Sequence, residues 1–214
     1  MLSYLLLKNH AGLLLIGDDD TLRALHTVVH DVNTRSPLIH DRGGWFLGLA
    51  FDVRKAFEGQ REILKPAQGR DEVGVRYGVQ ILWPVLLVQQ RTLRASLAHM
   101  DHGKRHQAVA YDLEAVIEDG LRNDFGAAAP ELIALWQQMS PEHPAFIGTL
   151  ASRGGLFCSW TKSERAKRFA SLLESFHPMY DAMYRFRTRG GECGLIEPEI
   201  FKQWEDAEWP DPRW

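Results

Sequence analysis

Cysteine is scarce in this sequence: the 214 residues include only two, Cys158 and Cys193. Two thiols are too few for the disulfide framework that holds many small secreted domains together. A reducing compartment keeps such thiols free. The sequence therefore predicts a cytoplasmic protein whose fold depends on its hydrophobic core and not on covalent cross-links.

Long hydrophobic runs are also missing. A membrane-spanning helix needs roughly 18 to 20 uninterrupted apolar residues, and no stretch of the chain approaches that length. The apolar segment near the amino terminus is interrupted by Lys8, Asn9 and His10, and no basic region precedes it. This pattern predicts β-strands and not a signal peptide, and we expect no membrane partner.

Sequence signatures of common enzymes and cofactor sites are lacking too. The chain has no Gly-x-Ser-x-Gly motif, P-loop or Gly-x-Gly-x-x-Gly motif. Cys158, in the segment GLFCSW, lacks the sequence context of known cysteine nucleophiles, so we expect a small core residue there. We predict no catalytic residues, no cofactor and no metal ligands, and we favour a protein without catalytic activity.

A large excess of one charge sign is absent as well. The formal net charge is −3, so the molecule as a whole should not be drawn to nucleic acid or to anionic membranes. Local charged patches can still create such an attraction.

Apolar residues are plentiful enough for a substantial core. Hydrophobic residues make up 45% of the chain and charged residues 25%, which is typical of a globular protein. The length suits one domain with a small appendage. We predict a single domain over residues 1–189 and an acidic, tryptophan-rich tail over residues 190–214.

Three segments predict strands. LSYLLLK and GLLLIGD are short apolar runs separated by NHA, a spacing that favours a β-hairpin. In VGVRYGVQIL, residues 73–82, larger side chains alternate with small or polar ones, and this period of two is typical of a strand. We therefore predict an α+β fold, in which a small antiparallel sheet is covered by a larger helical part.

Most other segments predict helices. WFLGLAFDVRKAFEG fits either a helix or a strand, and Gly59 favours a helix because glycine commonly follows a helix end. Thr161 and Glu164 form a capping-box pattern that begins a long helix, with a kink at Pro178. Apolar spacing predicts further helices over residues 84–99, 106–122, 130–139 and 141–152.

Two histidines follow the aspartate run GDDD. His26 and His30 are four residues apart, a spacing that suits a metal ion on one helical face. However, they lie on the flank of an apolar arc, and no glutamate stands in the position that the HExxH metal motif requires. Aspartates are also favoured at a helix amino terminus. We interpret the segment as a structural helix, and a metal site here stays the alternative.

A second histidine segment, HMDHGKRH, places His99, His102 and His106 beside Asp101. Imidazole and carboxylate groups suit Zn²⁺ or a similar ion. The segment also joins two predicted helices, where histidine, lysine and glycine are common. We interpret it as a loop, with metal binding again as the alternative.

The strongest charge asymmetry lies near the carboxyl terminus. Residues 161–191 hold seven basic and three acidic residues, a net charge of +4, whereas residues 192–214 hold two basic and seven acidic residues, a net charge of −5. Within the basic part, Arg185, Arg187 and Arg189 interleave with aromatic residues. Arginine pairs with phosphates and aromatic rings stack on bases, so this patch is a candidate nucleic-acid site.

The tail carries Trp204, Trp209 and Trp214, three of the seven tryptophans in the chain. Tryptophan is enriched at the energetic centres of protein interfaces. The tail therefore either packs on its own domain or docks on a partner, and these three residues are the candidate partner-binding residues.

Three function classes follow from these observations. The leading one is a non-catalytic cytoplasmic interaction protein or accessory subunit of a larger assembly, with a protein partner or a second copy of itself. The second is a nucleic-acid-associated factor, and the third is a metal-dependent enzyme that uses one of the histidine segments. The segment KNHAGLLLIGDDDTLRALH resembles bacterial domains of unknown function, and that resemblance implies no activity.

Overall fold

A small antiparallel sheet and a majority of helices make up this protein. The computed structural model describes residues 1–66, 74–189 and 194–214, and 61% of the structure is helical. The α+β fold predicted from the sequence is therefore confirmed.

The chain divides into two compact units. The first comprises Met1–Leu7 and Gly12–Gly120, and the second comprises Lys8–Ala11 and Leu121–Trp214. The division falls inside the range 1–189 that the sequence assigns to one domain. The turn between the first two strands thus belongs to the second unit, although both strands belong to the first.

The first unit contains the whole sheet, whose strands follow the order β1-β2-β4-β3 with antiparallel neighbours. Both the predicted hairpin and the predicted third strand are confirmed, although Val73, at the start of that prediction, lies outside the described residues. The sequence did not predict β3, because three residues are too few to show a periodic pattern. The strands are β1 (Ser3–Leu6), β2 (Gly12–Gly17), β3 (Glu62–Leu64) and β4 (Arg76–Leu82).

Helices of the first unit pack on one another and on the sheet, and all residues of the inner strand β2 are buried. α1 packs on α2, and α2 also contacts β4 and α3. Leu13 and Leu15 of β2 and Trp83 of α3 have no exposed surface. The helices are α1 (Asp19–Arg35), α2 (Trp45–Phe57), α3 (Trp83–Ala98) and α4 (Lys104–Phe125), of which α4 continues into the second unit.

The ambiguous segment after residue 44 is a helix, as predicted. α2 ends at Phe57, and Gly59 has a φ of 74°, which glycine adopts without steric penalty. The Gly59 amide donates to the Ala56 carbonyl at 2.9 Å, and the Gln60 amide donates to the Lys55 carbonyl at 2.8 Å. This pair of bonds satisfies the last carbonyls of the helix and accounts for its end.

Prolines overturn two helix predictions in the second unit. The helix predicted over residues 141–152 is wrong: α6 begins only at Leu150, because Pro141 and Pro144 lack the amide hydrogens that helical bonds need. The predicted long helix with a kink at Pro178 is also wrong, since it is two separate helices, α7 and α8. The helices are α5 (Ala129–Gln137), α6 (Leu150–Ser159), α7 (Lys162–Glu174), α8 (Tyr180–Arg189) and α9 (Pro198–Lys202).

Aromatic side chains dominate the core of the second unit. Phe157 and Phe169 lie with ring centroids 5.3 Å apart, and Phe125 stacks on Phe169 at 5.2 Å. Trp136 is fully buried. Among the described helices of the chain, none has both the length and the apolar character needed to cross a bilayer.

Candidate functional site

The start of α7 is set by its first turn. The Thr161 hydroxyl accepts a bond from the Glu164 amide at 3.4 Å, and the Glu164 carboxylate accepts one from the Thr161 amide at 2.8 Å. These two bonds are the capping box that the sequence predicts. The hydrogen bonds from Thr161 also hold the pKa of the Glu164 carboxyl below its usual value.

The chain then reverses between α7 and α8, and we call residues 174–187 the α7–α8 corner. Ser175 closes α7, and its hydroxyl donates to the Leu172 carbonyl at 2.6 Å. His177 Nδ1 accepts a bond from the Met179 amide at 3.1 Å, on the two sides of Pro178. The corner therefore has a defined local geometry and not a simple proline kink.

An ion pair connects the two helices of the corner. Arg187 Nη1 lies 3.3 Å and 3.4 Å from the two carboxylate oxygens of Glu174. The side chains are 39% and 23% exposed, so solvent screens their attraction. The pair should add about 0.5 kcal/mol to stability, and its main effect is to fix where the arginine points.

A groove lies beside this ion pair, between the end of α5 and the two helices of the corner. Its volume is about 150 Å³. Leucine and methionine side chains form much of its lining, and Glu174 and Arg187 supply charge. We call it the corner groove, lined by Leu135, Gln138, Met139, Ser140, Leu173, Glu174, His177, Met183 and Arg187.

A second, more polar hollow of about 290 Å³ shares Glu174 and Arg187 with the corner groove. Its lining includes Ser171, whose hydroxyl donates to the Gly194 carbonyl at 2.6 Å. The ion pair thus lies between two concave surfaces, one mainly apolar and one mainly polar.

Two large apolar side chains of the corner are in solvent. Met179 is 60% exposed and Phe186 is 80% exposed. Among the described residues, Phe186 is the most exposed aromatic side chain. An apolar, concave and partly charged surface of this kind can bind another protein.

The three predicted nucleic-acid residues lie on α8 but not on one face. Arg185 and Arg189 are exposed and four residues apart, so they share a face. Arg187 is about 200° away from Arg185 around a helix with 100° per residue, and it is held by Glu174. Arginines at alternate positions would share one face of a strand, but a helix separates them.

Two of the three predicted partner-binding tryptophans pack on α6. A methyl group added at Gly154 would overlap the ring of Trp209, and one added at Gly155 would come within 2.8 Å of the ring of Trp204. Trp209 Nε1 also donates to the Ala151 carbonyl at 2.9 Å. Trp214, by contrast, is 44% exposed. The glycine pair is thus the docking surface for the tail.

The tail also buries two apolar side chains besides the tryptophans. Ile196 is 2% exposed and Phe201 is 3% exposed. The hydroxyl of Tyr180, the first residue of α8, donates to the Ile196 carbonyl at 2.7 Å, and its ring meets Phe201 edge-on. Burial raises the pKa of Tyr180 to about 12. The tail therefore packs against the first residue of α8, within the α7–α8 corner.

Sequence reasoning missed Arg165, which is completely buried. Its guanidinium donates to the carbonyl oxygens of Asn9 at 3.1 Å, Phe157 at 3.2 Å, Cys158 at 3.4 Å and Pro212 at 2.5 Å. Burial lowers the pKa of Arg165. In the sequence it is one basic residue among several on α7, and nothing in the pattern marks it as the anchor of the tail.

His26 and His30 lie on α1 as the sequence predicts. The Asp18 carboxylate accepts a bond from the Thr21 amide at 2.7 Å and caps the helix. The two imidazole centroids are 4.5 Å apart, and His26 meets the edge of Phe57 at 5.7 Å. Burial lowers the pKa of His26, and the neighbouring His30 lowers it further.

The second histidine segment makes contacts within the first unit. His106 Nε2 is hydrogen-bonded to the Asp31 carboxylate at 2.9 Å, and His102 Nε2 lies 2.9 Å from the side-chain nitrogen of Gln107. His99 is exposed. Within residues 1–66, 74–189 and 194–214, no group of three or more histidine, cysteine, aspartate or glutamate side chains is arranged to hold a metal ion.

Comparison with known proteins gives one match. The model of the family described as Domain of unknown function (DUF6904) matches residues 2–209. The matched range covers most of both units and extends through Trp209. No curated protein and no solved structure matches the chain.

Proposed function

The chain belongs to the family described as Domain of unknown function (DUF6904), and from that premise we propose that it is a non-catalytic interaction protein, an accessory subunit of a larger cytoplasmic assembly. Its partner is another protein or a second copy of the chain. The binding surface is the α7–α8 corner, with the corner groove beside it.

The observation that carries this proposal is the exposure of Phe186 and Met179. Large apolar side chains on a helix and its preceding turn are unfavourable in water. Burial of their apolar surface therefore favours binding of a partner that covers them. The family match covers residues 2–209 and therefore includes the corner.

The lining of the groove supports a protein ligand. Met139, Leu173 and Met183 offer an apolar floor, and methionine adapts to partners of different shapes. The charges of Glu174 and Arg187 lie at the same site, where they can fix the register of a bound segment. An amphipathic helix or an extended peptide of the partner would place apolar side chains in the groove.

The tryptophan tail has a different part in this proposal. Trp204 and Trp209 are engaged with α6, so we assign them to holding the tail on its own unit. Trp214 keeps an exposed ring, and its binding to a partner stays a prediction.

Affinity capture from the native cell with quantitative mass spectrometry tests the proposal. The double variant Met179→Ser, Phe186→Ser should lose proteins that the wild type retains. Phe51→Ser is the matched control, because Phe51 is 48% exposed on the first unit. Sedimentation velocity of the purified proteins identifies a second copy of the chain as the partner. Equal capture and equal sedimentation of all three proteins would contradict the proposal.

A nucleic-acid-associated function is the second candidate. The observation in its favour is the exposed face of α8 that carries Arg185 and Arg189, with Phe186 next to it. Phosphate pairing by the arginines and base stacking on the ring would together bind a single strand without sequence preference.

A further inference from the structure

A separate pocket of about 180 Å³ shares His177 with the corner groove. Both aromatic and polar or charged side chains line it, among them Phe146, Phe176, Arg153, Ser175 and Asp181.

Arg153 is the charged group that the fold holds in this pocket. Its Nε donates to the Ser175 hydroxyl at 3.3 Å, its Nη2 donates to the Ser175 carbonyl at 3.1 Å, and its Nη1 donates to the Ser152 hydroxyl at 2.9 Å. The guanidinium carbon also lies 4.0 Å from the centroid of the Phe201 ring. The plane of the guanidinium is therefore fixed before any ligand arrives.

The charge of Arg153 is not neutralised by a direct ion pair in the described residues, where its hydrogen-bond partners are serine atoms. Burial lowers the pKa of Arg153 to about 10, and Asp181 is among the acids that act against this shift. The side chain is therefore cationic at neutral pH. A largely buried cation without a direct counterion is unfavourable, and an anionic ligand would relieve that penalty.

Donors for such a ligand are available. A guanidinium has five N–H groups in a planar fork, and the three bonds described above use one on each nitrogen. The remaining N–H of each Nη atom can donate to the two oxygens of a carboxylate, the bidentate geometry that arginine favours.

We propose that this pocket binds a small monocarboxylate, with its carboxylate on Arg153 and its apolar part against Phe146 and Phe176. The pocket shares His177 with the corner groove, but its ligand class does not depend on the proposed interaction function, because Arg153, Phe146 and Phe176 line this pocket and not the corner groove.

Size and charge select this ligand class. The volume of about 180 Å³ is enough for small acids from acetate to butyrate. Asp181 lines the same pocket and repels a second negative charge, so a phosphate dianion is disfavoured. The two phenylalanines stabilise a short alkyl group that phosphate lacks.

Titration calorimetry on the full chain tests this assignment, with acetate, propionate, butyrate and inorganic phosphate as probes. Propionate or butyrate should bind more tightly than acetate, and phosphate should bind most weakly. Arg153→Gln should weaken propionate binding by about tenfold or more, since it removes a bidentate charged hydrogen bond. Asp181→Asn should strengthen it, because it removes the repulsion. Lys167→Gln, at an exposed position outside the pocket, should leave it unchanged.

Melting temperatures show whether Arg153→Gln folds. If it does not, Arg153→Lys and Asp181→Asn test the proposal instead. Lysine keeps the positive charge but lacks the planar guanidinium, so Arg153→Lys should weaken propionate binding. Asp181→Asn should strengthen propionate binding. Several results would overturn the proposal: no carboxylate binding by the wild type, tighter binding of phosphate than of propionate, or equal propionate affinity in all these variants. Tighter binding of acetylglycylglycine than of propionate would assign the site to a protein carboxyl terminus instead.

Discussion

Arg165 shows how one side chain can organise a region of this molecule. Its guanidinium donates to four backbone carbonyls: one in the turn after β1, two at the end of α6 and one in the tail. The bonds to Phe157 and Cys158 are buried and those to Asn9 and Pro212 are partly buried, so these carbonyl oxygens depend on this donor. The residue therefore stabilises the tail through hydrogen bonds and not through an ion pair.

Replacing Arg165 with methionine keeps apolar bulk but leaves several buried acceptors without a donor. We expect Arg165→Met to reduce the free energy of unfolding by about 2 to 4 kcal/mol, measured by urea denaturation. Lys167→Met, an exposed position on the same helix, is the control and should be nearly neutral. Similar unfolding curves for both variants would contradict the anchoring role.

Cys158 gives a prediction at alkaline pH. Burial raises the pKa of its thiol from 9.0 to about 11. Between these values the unfolded chain loses a proton that the folded chain retains, so the unfolded state becomes relatively more stable as pH rises. The urea midpoint should fall from pH 9 upward, and Cys158→Ala should make that fall less steep. Parallel pH profiles for the two proteins would show that this thiol does not contribute.

At the scale of single elements, the contribution of the α7 capping box to stability can be tested directly. Thr161→Ala removes the side-chain acceptor of the capping box and should destabilise the protein by about 1 kcal/mol. Ser163→Ala, exposed in the same turn, should change stability little. Equilibrium urea unfolding measures both variants, and equal midpoints would mean that the cap contributes nothing to stability.

The two faces of α8 allow a test of the second candidate function. Arg185→Gln with Arg189→Gln should weaken binding to random-sequence DNA or RNA and flatten its salt dependence, because fewer counterions are released. Arg187→Gln should have a smaller effect, since that side chain is paired with Glu174 on another face. Salt-dependent fluorescence anisotropy measures this difference. Absence of binding by the wild type at low salt would remove this function class.

Local signals explain which elements could be predicted. The hairpin, the strand that ends at Leu82 and the capping box of α7 depend on neighbouring residues, and all three are confirmed. The helix predicted over residues 141–152 is wrong because Pro141 and Pro144 disrupt a helix in spite of the apolar spacing. β3 and α9 were missed, since three and five residues carry too little periodic signal.

The candidate site was less predictable than the elements. Arg187 and the tryptophans could be selected from composition alone, but their partners could not. Arg187 pairs with Glu174, and the tryptophans pack on Gly154 and Gly155, which are distant in sequence. Arg153 and Arg165 looked like ordinary basic residues. Burial of an arginine is a tertiary property, and nothing in the local sequence indicates it.

At the scale of the whole molecule, the tail is part of the second unit and not a loose extension. Deleting residues 195–214 would expose the surfaces that cover Ile196 and Phe201, and it would remove both tryptophans from α6. We expect a clear drop in melting temperature, measured by circular dichroism. Gly154→Ala should lower stability by about 1 to 3 kcal/mol through overpacking against Trp209. An unchanged melting temperature after the deletion would contradict this docking.

The turn at Lys8–His10 has a consequence for synthesis on the ribosome. The Asn9 side chain donates to the Arg213 carbonyl, a partner that is 204 residues later. At about 5 to 20 residues per second, the nascent turn waits on the order of ten to forty seconds for that partner to be made. During this interval the sheet of the first unit can form around a turn that is still incomplete, so the two units should mature in order, with the second depending on residues 121–214.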